Sequence, residues 1–215
     1  MVTAKETSKE SFSGELTDNI RIEILHETYK PGCKLVELDL CEKYTVSRTP
    51  VRDSLKELAA ENLVEVIPNR GAFVIGFSRG DMADIFELLR NAEMQAIRWA
   101  IERFYKEELE QFEEIFETLQ FYTLREDMRK IRELGKRFHS TIYEASHNRE
   151  LIRQLKNYRL YIANSVHTKR MRKEFLDSLR LEHAAIFEAF INRAPDEAAE
   201  AVRLHIDNAA ARALR

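Results

Sequence analysis

The segment Thr45-Val46-Ser47-Arg48-Thr49-Pro50-Val51-Arg52-Asp53-Ser54-Leu55 constrains this chain more than any other. Ser47 is a suitable helix N-cap, and Pro50 is tolerated in a first turn because the leading amides there lack intrahelical partners. From Ser47 to about Asn62, Val51, Leu55, Leu58 and Ala59 repeat at i, i+4, i+7 and i+8, whereas Arg48, Arg52 and Lys56 form a separate stripe. Two arginines one turn apart on the leading edge of a helix, backed by an apolar face, suit a helix that enters the major groove of DNA.

The flanking sequence supplies the rest of such a unit. Leu16, Ile20, Ile24 and Leu25 take one-sided helical spacing until Lys30-Pro31-Gly32 stops it. A second short helix is predicted over Glu37–Lys43, with Leu38, Leu40 and Cys41 as its apolar positions. After the third helix the period changes. Val64-Glu65-Val66-Ile67 and Ala72-Phe73-Val74-Ile75 flank the turn Pro68-Asn69-Arg70-Gly71, a strand–turn–strand pattern. Three helices and a hairpin predict a winged helix-turn-helix over residues 14–76, with residues 76–80 as the joint. In that arrangement Arg48 and Arg52 face base edges, and Ser47 and Thr49 donate to phosphates. Arg70 at the wing tip enters the adjacent minor groove, and Gly71 lets the wing backbone approach closely.

Charge gives no independent support. Residues 1–76 hold ten Lys and Arg against thirteen Asp and Glu, so a DNA contact must rest on a local basic surface. Cys33 and Cys41 read as free thiols of a reducing cytoplasm. No apolar run approaches the roughly 18–20 residues of a membrane span, so no membrane partner is expected. The first 13 residues are polar, lack an apolar core and read as a loose, disordered tail instead of a signal peptide.

Beyond Asp81 the strand signals end. Helical periods run at about 81–104, 106–122, 126–147, 149–169, 172–192 and 195–214, with weak breaks because the chain has only 6 Gly and 4 Pro. The fold class expected is therefore mainly α: the winged helix-turn-helix followed by an all-α antiparallel bundle over residues 81–215. Three histidines of this bundle lie in apolar stripes: His139 with Ile131 and Ile142, His183 with Leu179, Ile186 and Phe190, and His205 with Ala198, Ala201, Val202 and Ala209. A lone histidine in such a stripe is ordinarily a hydrogen-bonded core residue. Three on separate helices of one bundle read as a metal site. His26, His147 and His167 lack this context and read as structural or exposed.

These residues carry a resemblance. Pro31-Gly32-x-x-Leu35, Thr45 through Arg52, Leu63-Val64-Glu65 and Pro68 through Val74 together resemble the winged-helix domain of GntR-family bacterial transcription regulators. The resemblance implies Ser47, Arg48, Thr49, Arg52, Arg70 and Gly71 as DNA contacts. It also marks a departure at Leu38, where family members often carry an arginine. Phe138-His139-x-x-Ile142 with Ala145-Ser146-His147-Asn148, Glu182-His183-x-x-Ile186, and Asp196-x-Ala198-Ala199 leading to His205 resemble motifs of the FadR-type C-terminal ligand-binding (FCD) domain. That implies a divalent cation on His139, His183 and His205, with a small organic-acid effector completing its shell.

Two further departures mark the second domain. Gly135 stands where Asp or Asn is common, so a water fills the place, or a carboxylate such as Glu93 substitutes, or the site is weaker. Leu89 stands where an arginine is usual, and Arg90 either receives the effector carboxylate or makes a surface salt bridge. A three-histidine site with open positions suits Zn²⁺ or Ni²⁺, and accommodates Fe²⁺ or Mn²⁺. The expectation is a cytoplasmic, homodimeric DNA-binding regulator, a repressor on palindromic operator DNA, and not an enzyme. The alternatives are the same regulator with a metal-free pocket for a larger effector such as an acyl-CoA or sugar acid, and, more remotely, a metal-dependent enzyme.

Overall fold

The computed structural model describes the backbone of residues 4–165 and 173–214, and side chains within 14–165, 173 and 175–214. The chain forms two compact units, one of residues up to Gly80 together with Asn164 and Ser165, and one of the remainder from Asp81.

In the first unit, α1 (Ala4–Leu25) is followed by β1 (Lys34–Leu35), α2 (Glu37–Tyr44), α3 (Arg48–Ala60), β2 (Val64–Ile67) and β3 (Gly71–Val74). The backbone is helical from Ala4, where the sequence reading set a loose tail over residues 1–13; Ala, Glu and Lys in that stretch are good helix formers. Its side chains lie outside the described residues. The apolar stripe of α1 (Leu16, Ile20, Ile24, Leu25) is buried, as are Val51, Leu55 and Leu58 of α3, on which α1 packs. Thr45 closes α2 in the left-handed region (φ 55°), which turns the chain sharply into α3. Leu38, expected on the apolar face of α2, is 51% exposed, because Leu35 and Leu40 occupy the core side instead.

β2 and β3 pair antiparallel, Val64 opposite Val74 and Ile67 opposite Gly71. Asn69 (φ 62°) and Gly71 (φ 104°) carry the positive φ that the wing turn needs. The sequence reading missed β1, which adds to the outer edge of β3 with Lys34 opposite Phe73 and Leu35 opposite Ala72. Two residues are too short for an alternating pattern to be seen.

A polar tie also escaped the apolar reading. Arg21, buried in α1, donates to both carboxylate oxygens of Glu61 at 2.8 and 2.7 Å and to Asp18. Burial opposes its charge, but Glu61 and Asp18 hold it firmly protonated.

The second unit consists of α4 (Arg79–Arg103), α5 (Lys106–Leu124), α6 (Met128–Ala145), α7 (Arg149–Asn164), a 3-10 turn (Lys173–Phe175), α8 (Leu176–Ile191) and α9 (Pro195–Ala213). α5 packs on α6 and α8, and α8 on α9. Phe112 anchors the core, its ring 4.8 Å from Phe138 and 4.9 Å from Phe190. α7 ends at Asn164, short of the expected 169, and residues 166–172 lie outside those described. Among the described residues no helix is long and apolar enough to cross a membrane. Cys33 and Cys41 are free thiols.

Candidate functional site

The leading edge of α3 is open to solvent. Ser47, Arg48, Thr49 and Arg52 are all exposed, as are Arg70 and Gly71 of the wing. Ser47 has the extended backbone of an N-cap (φ −76°, ψ 170°), yet its hydroxyl makes no capping bond. The hydroxyl and the first amides of α3 are therefore available to an anion. Arg52 donates through Nε to both carboxylate oxygens of Glu37, at 3.0 and 2.9 Å. At the wing, a Cβ added to Gly71 would stand 3.0 Å from Cε of Lys34, so the lysine stem lies over this glycine.

In the second unit α6, α8 and α9 bring His139, His183 and His205 together. All three are buried, and one nitrogen from each lies within 4.8 Å of the others. Nε2 of His205 faces Nε2 of His139 at 3.2 Å. That is about the separation of two nitrogen ligands each roughly 2.0–2.1 Å from one ion. Nε2 of His183 is buried without a hydrogen-bond partner among the described residues. An orphaned imidazole nitrogen in a dry core is costly unless something external meets it. Burial, followed by the charge of Arg159, pushes His139 down to about 3. Burial and the neighbouring histidines push His183 in the same direction. Both rings are thus neutral at ordinary pH, the state a metal ligand requires.

Carboxylates stand behind two of these rings. Glu182 accepts from Nδ1 of His205 at 2.9 Å and from both terminal nitrogens of Arg212 at 2.8 and 2.9 Å. Burial works against its charge, but the bonds from Arg212 and His205 hold the carboxyl well below the usual range. Glu93 is 3.4 Å from Nδ1 of His139, accepts from Nε of Arg159 at 2.8 Å, and is hydrogen-bonded by Tyr143. It too is held well below the carboxylate range despite burial, chiefly by Arg159. Arg159 also lies 3.0 Å from Nδ1 of His139.

Glu93 therefore stands at the edge of the His139 ring opposite the nitrogen that faces His205. A Cβ added at Gly135 would meet no atom of the described residues within 4 Å. Arg90 is paired with Asp207 at 3.0 Å and Glu87 at 3.4 Å, the salt-bridge option of the sequence reading. His147 is exposed, 3.3 Å from Glu108; His26 is exposed; His167 lies outside the described residues.

Sequence reasoning missed Glu37, Tyr143, Arg159, Glu182 and Arg212. Glu182 precedes His183 directly, and adjacent residues on a helix diverge, so this carboxylate serves His205 on the neighbouring helix instead. Arg159 lies at a half-buried position of α7 and gave no signal of its own.

The donor set fits a divalent ion: three imidazoles converge, with Glu182 hydrogen-bonded behind His205 and Glu93 3.4 Å behind His139. Residues 84–208 match the FCD domain, and residues 12–74 match the bacterial regulatory proteins of the gntR family. The chain belongs to the GntR family.

This GntR-family chain is 26% identical over 191 residues to the HTH-type transcriptional regulator YdhC of Bacillus subtilis, covering 86% of the chain and 83% of that protein. It is 30% identical over 156 residues to the galactonate operon transcriptional repressor of Escherichia coli, covering 61% and 67%. In structure it is similar to E. coli McbR/YncC, with a TM-score of 0.70 at 19% identity over 91% and 93% of the two chains. The chain is accordingly a DNA-binding transcription regulator and not an enzyme.

Proposed function

We propose that this regulator is a cytoplasmic, homodimeric repressor whose grip on operator DNA is released by a small organic acid at a metal-holding three-histidine centre. The carrying observation is the convergence of His139, His183 and His205, with the buried Nε2 of His183 unpartnered among the described residues. Zn²⁺ or Ni²⁺ suits the three imidazoles best. When bound, such an ion supplies a Lewis-acidic centre that attracts the carboxylate of the effector. Glu182 and Glu93 hold the rings of His205 and His139 in place. Arg159, half-buried in α7 and 3.0 Å from Nδ1 of His139, receives the effector carboxylate in place of Arg90, which is paired with Asp207. Similarity to a repressor named for the galactonate operon supports a sugar acid or comparable hydroxy acid as effector.

On the DNA side, Arg48 and Arg52 read base edges, Ser47 and Thr49 hold phosphates, and Arg70 and Gly71 form the wing contact. Two such units in a dimer engage half-sites about one helical turn apart. The effector shifts the operator-binding equilibrium by a coupling of about 1–3 kcal/mol.

The test is release of a duplex selected by the Zn²⁺-loaded protein from a random library, with a panel of hydroxy and sugar acids as ligands. Release by at least one acid, abolished in His183→Ala while duplex binding persists, is the expected result. Release that is equal in His183→Ala and wild type contradicts the proposal.

A further inference from the structure

Glu37 lies in the first turn of α2, where a carboxylate is favoured by the helix dipole, and reaches across to Arg52 in α3. Both of its oxygens meet the same nitrogen, Nε, at 3.0 and 2.9 Å. The Arg52 side chain remains 56% exposed, and its two terminal nitrogens have no hydrogen-bond partner among the described residues. A guanidinium can form paired hydrogen bonds side-on, through Nε and one Nη, or end-on, through both Nη. With Nε engaged, only the end-on fork of Arg52 is available.

We infer that Glu37 is a specificity-determining positioning residue: it holds Arg52 end-on for the O6 and N7 acceptors of a guanine and withholds it from the phosphate backbone. The inference rests on the proposed reading that Arg52 meets a base. An unrestrained arginine on an exposed edge is drawn to the nearest phosphate, a contact that carries no sequence information. The carboxylate of Glu37 offsets that pull twice. It cancels the charge of Arg52 at a distance, which weakens sequence-independent attraction to DNA. It also fixes the plane of the guanidinium before binding, so less freedom is lost when the paired guanine bonds form. Glu37 therefore lowers affinity for arbitrary DNA while raising discrimination, a combination that a merely structural ion pair does not produce.

The experiment uses the full chain and a library of randomised duplexes at fixed salt, with wild type, Glu37→Gln and Arg52→Ala compared. Arg52→Ala identifies the position that Arg52 reads, by losing the preference for guanine there. At that position Glu37→Gln is expected to lose about five- to tenfold of the guanine preference. Its affinity for a duplex lacking the site is expected to rise about two- to threefold, with a salt slope steeper by about one unit. Retention of the wild-type preference in Glu37→Gln, or an equal loss of affinity for every duplex, overturns the inference while leaving the reading of Arg52 intact. Unchanged preference in Arg52→Ala overturns that reading and the inference with it. Both side chains are exposed or half-buried, so neither substitution disturbs the core.

Discussion

Glu182 accepts a hydrogen bond from Nδ1 of His205 at 2.9 Å and so leaves Nε2 of the same ring facing His139. An ionised carboxylate can only accept, which fixes the proton of this imidazole on Nδ1 and the lone pair on Nε2. In Glu182→Gln the amide can present its NH₂ instead, and both the tautomer and the ring plane are released. The affinity for Zn²⁺ is expected to fall about 10- to 100-fold. Competition with a chromophoric chelator measures it; unchanged affinity would remove Glu182 from the account.

The same core sets a pH dependence. His139, held at about 3, and His183, pushed down from 6.5, both take up a proton more readily in the unfolded chain. Stability of the metal-free protein is therefore fully present above pH 6.5 and is lost as pH falls, down to about 3 for His139. His139 alone removes about 1 kcal/mol between pH 7.5 and 5.5, and His183 acts in the same direction. The chain has a single tryptophan, Trp99 in α4, so its fluorescence in urea follows this unit. Stability that is level or rising over that interval would contradict the burial of these rings as neutral bases.

Gly71 combines a φ of 104° with the stem of Lys34 over its missing side chain. Gly71→Ala is expected to cost about 1–3 kcal/mol, mainly in backbone strain, since a lysine stem can move aside. Urea unfolding of the isolated change measures this, and a cost near zero would mean that the wing turn tolerates another conformation.

Arg21 joins α1 to the end of α3 through Glu61. Arg21→Ala removes the buried cation shared by Glu61 and Asp18 and is expected to cost about 3 kcal/mol. Loss of helical signal on heating is expected at a lower temperature than in wild type. An unchanged transition would show the tie to be energetically neutral.

The outline of both units could be read from periodicity because their cores are regular. Leu16, Ile20 and Ile24 in α1 and Val51, Leu55 and Leu58 in α3 are spaced as helices require, and all are buried. The three histidines were legible for the same reason: each interrupts an apolar stripe, where a polar ring must have a purpose. What stayed hidden depends on pairs far apart in sequence. Glu37 meets Arg52, Glu93 meets Arg159, and Arg21 meets Glu61 only after the helices have packed. A charged residue in a charge-rich chain has no pattern that names its partner. β1 escaped for a different reason, being defined by its pairing with β3 more than by its own two residues.

The most direct measurement is the amount of Zn²⁺ or Ni²⁺ bound at equilibrium by the untagged, metal-stripped chain, in wild type and in His183→Ala. One ion held per wild-type chain, with the variant retaining its helical signal and binding at least about 100-fold more weakly, is the result expected from three converging imidazoles. Equal binding in both proteins, or none in wild type, would contradict a metal centre at His139, His183 and His205.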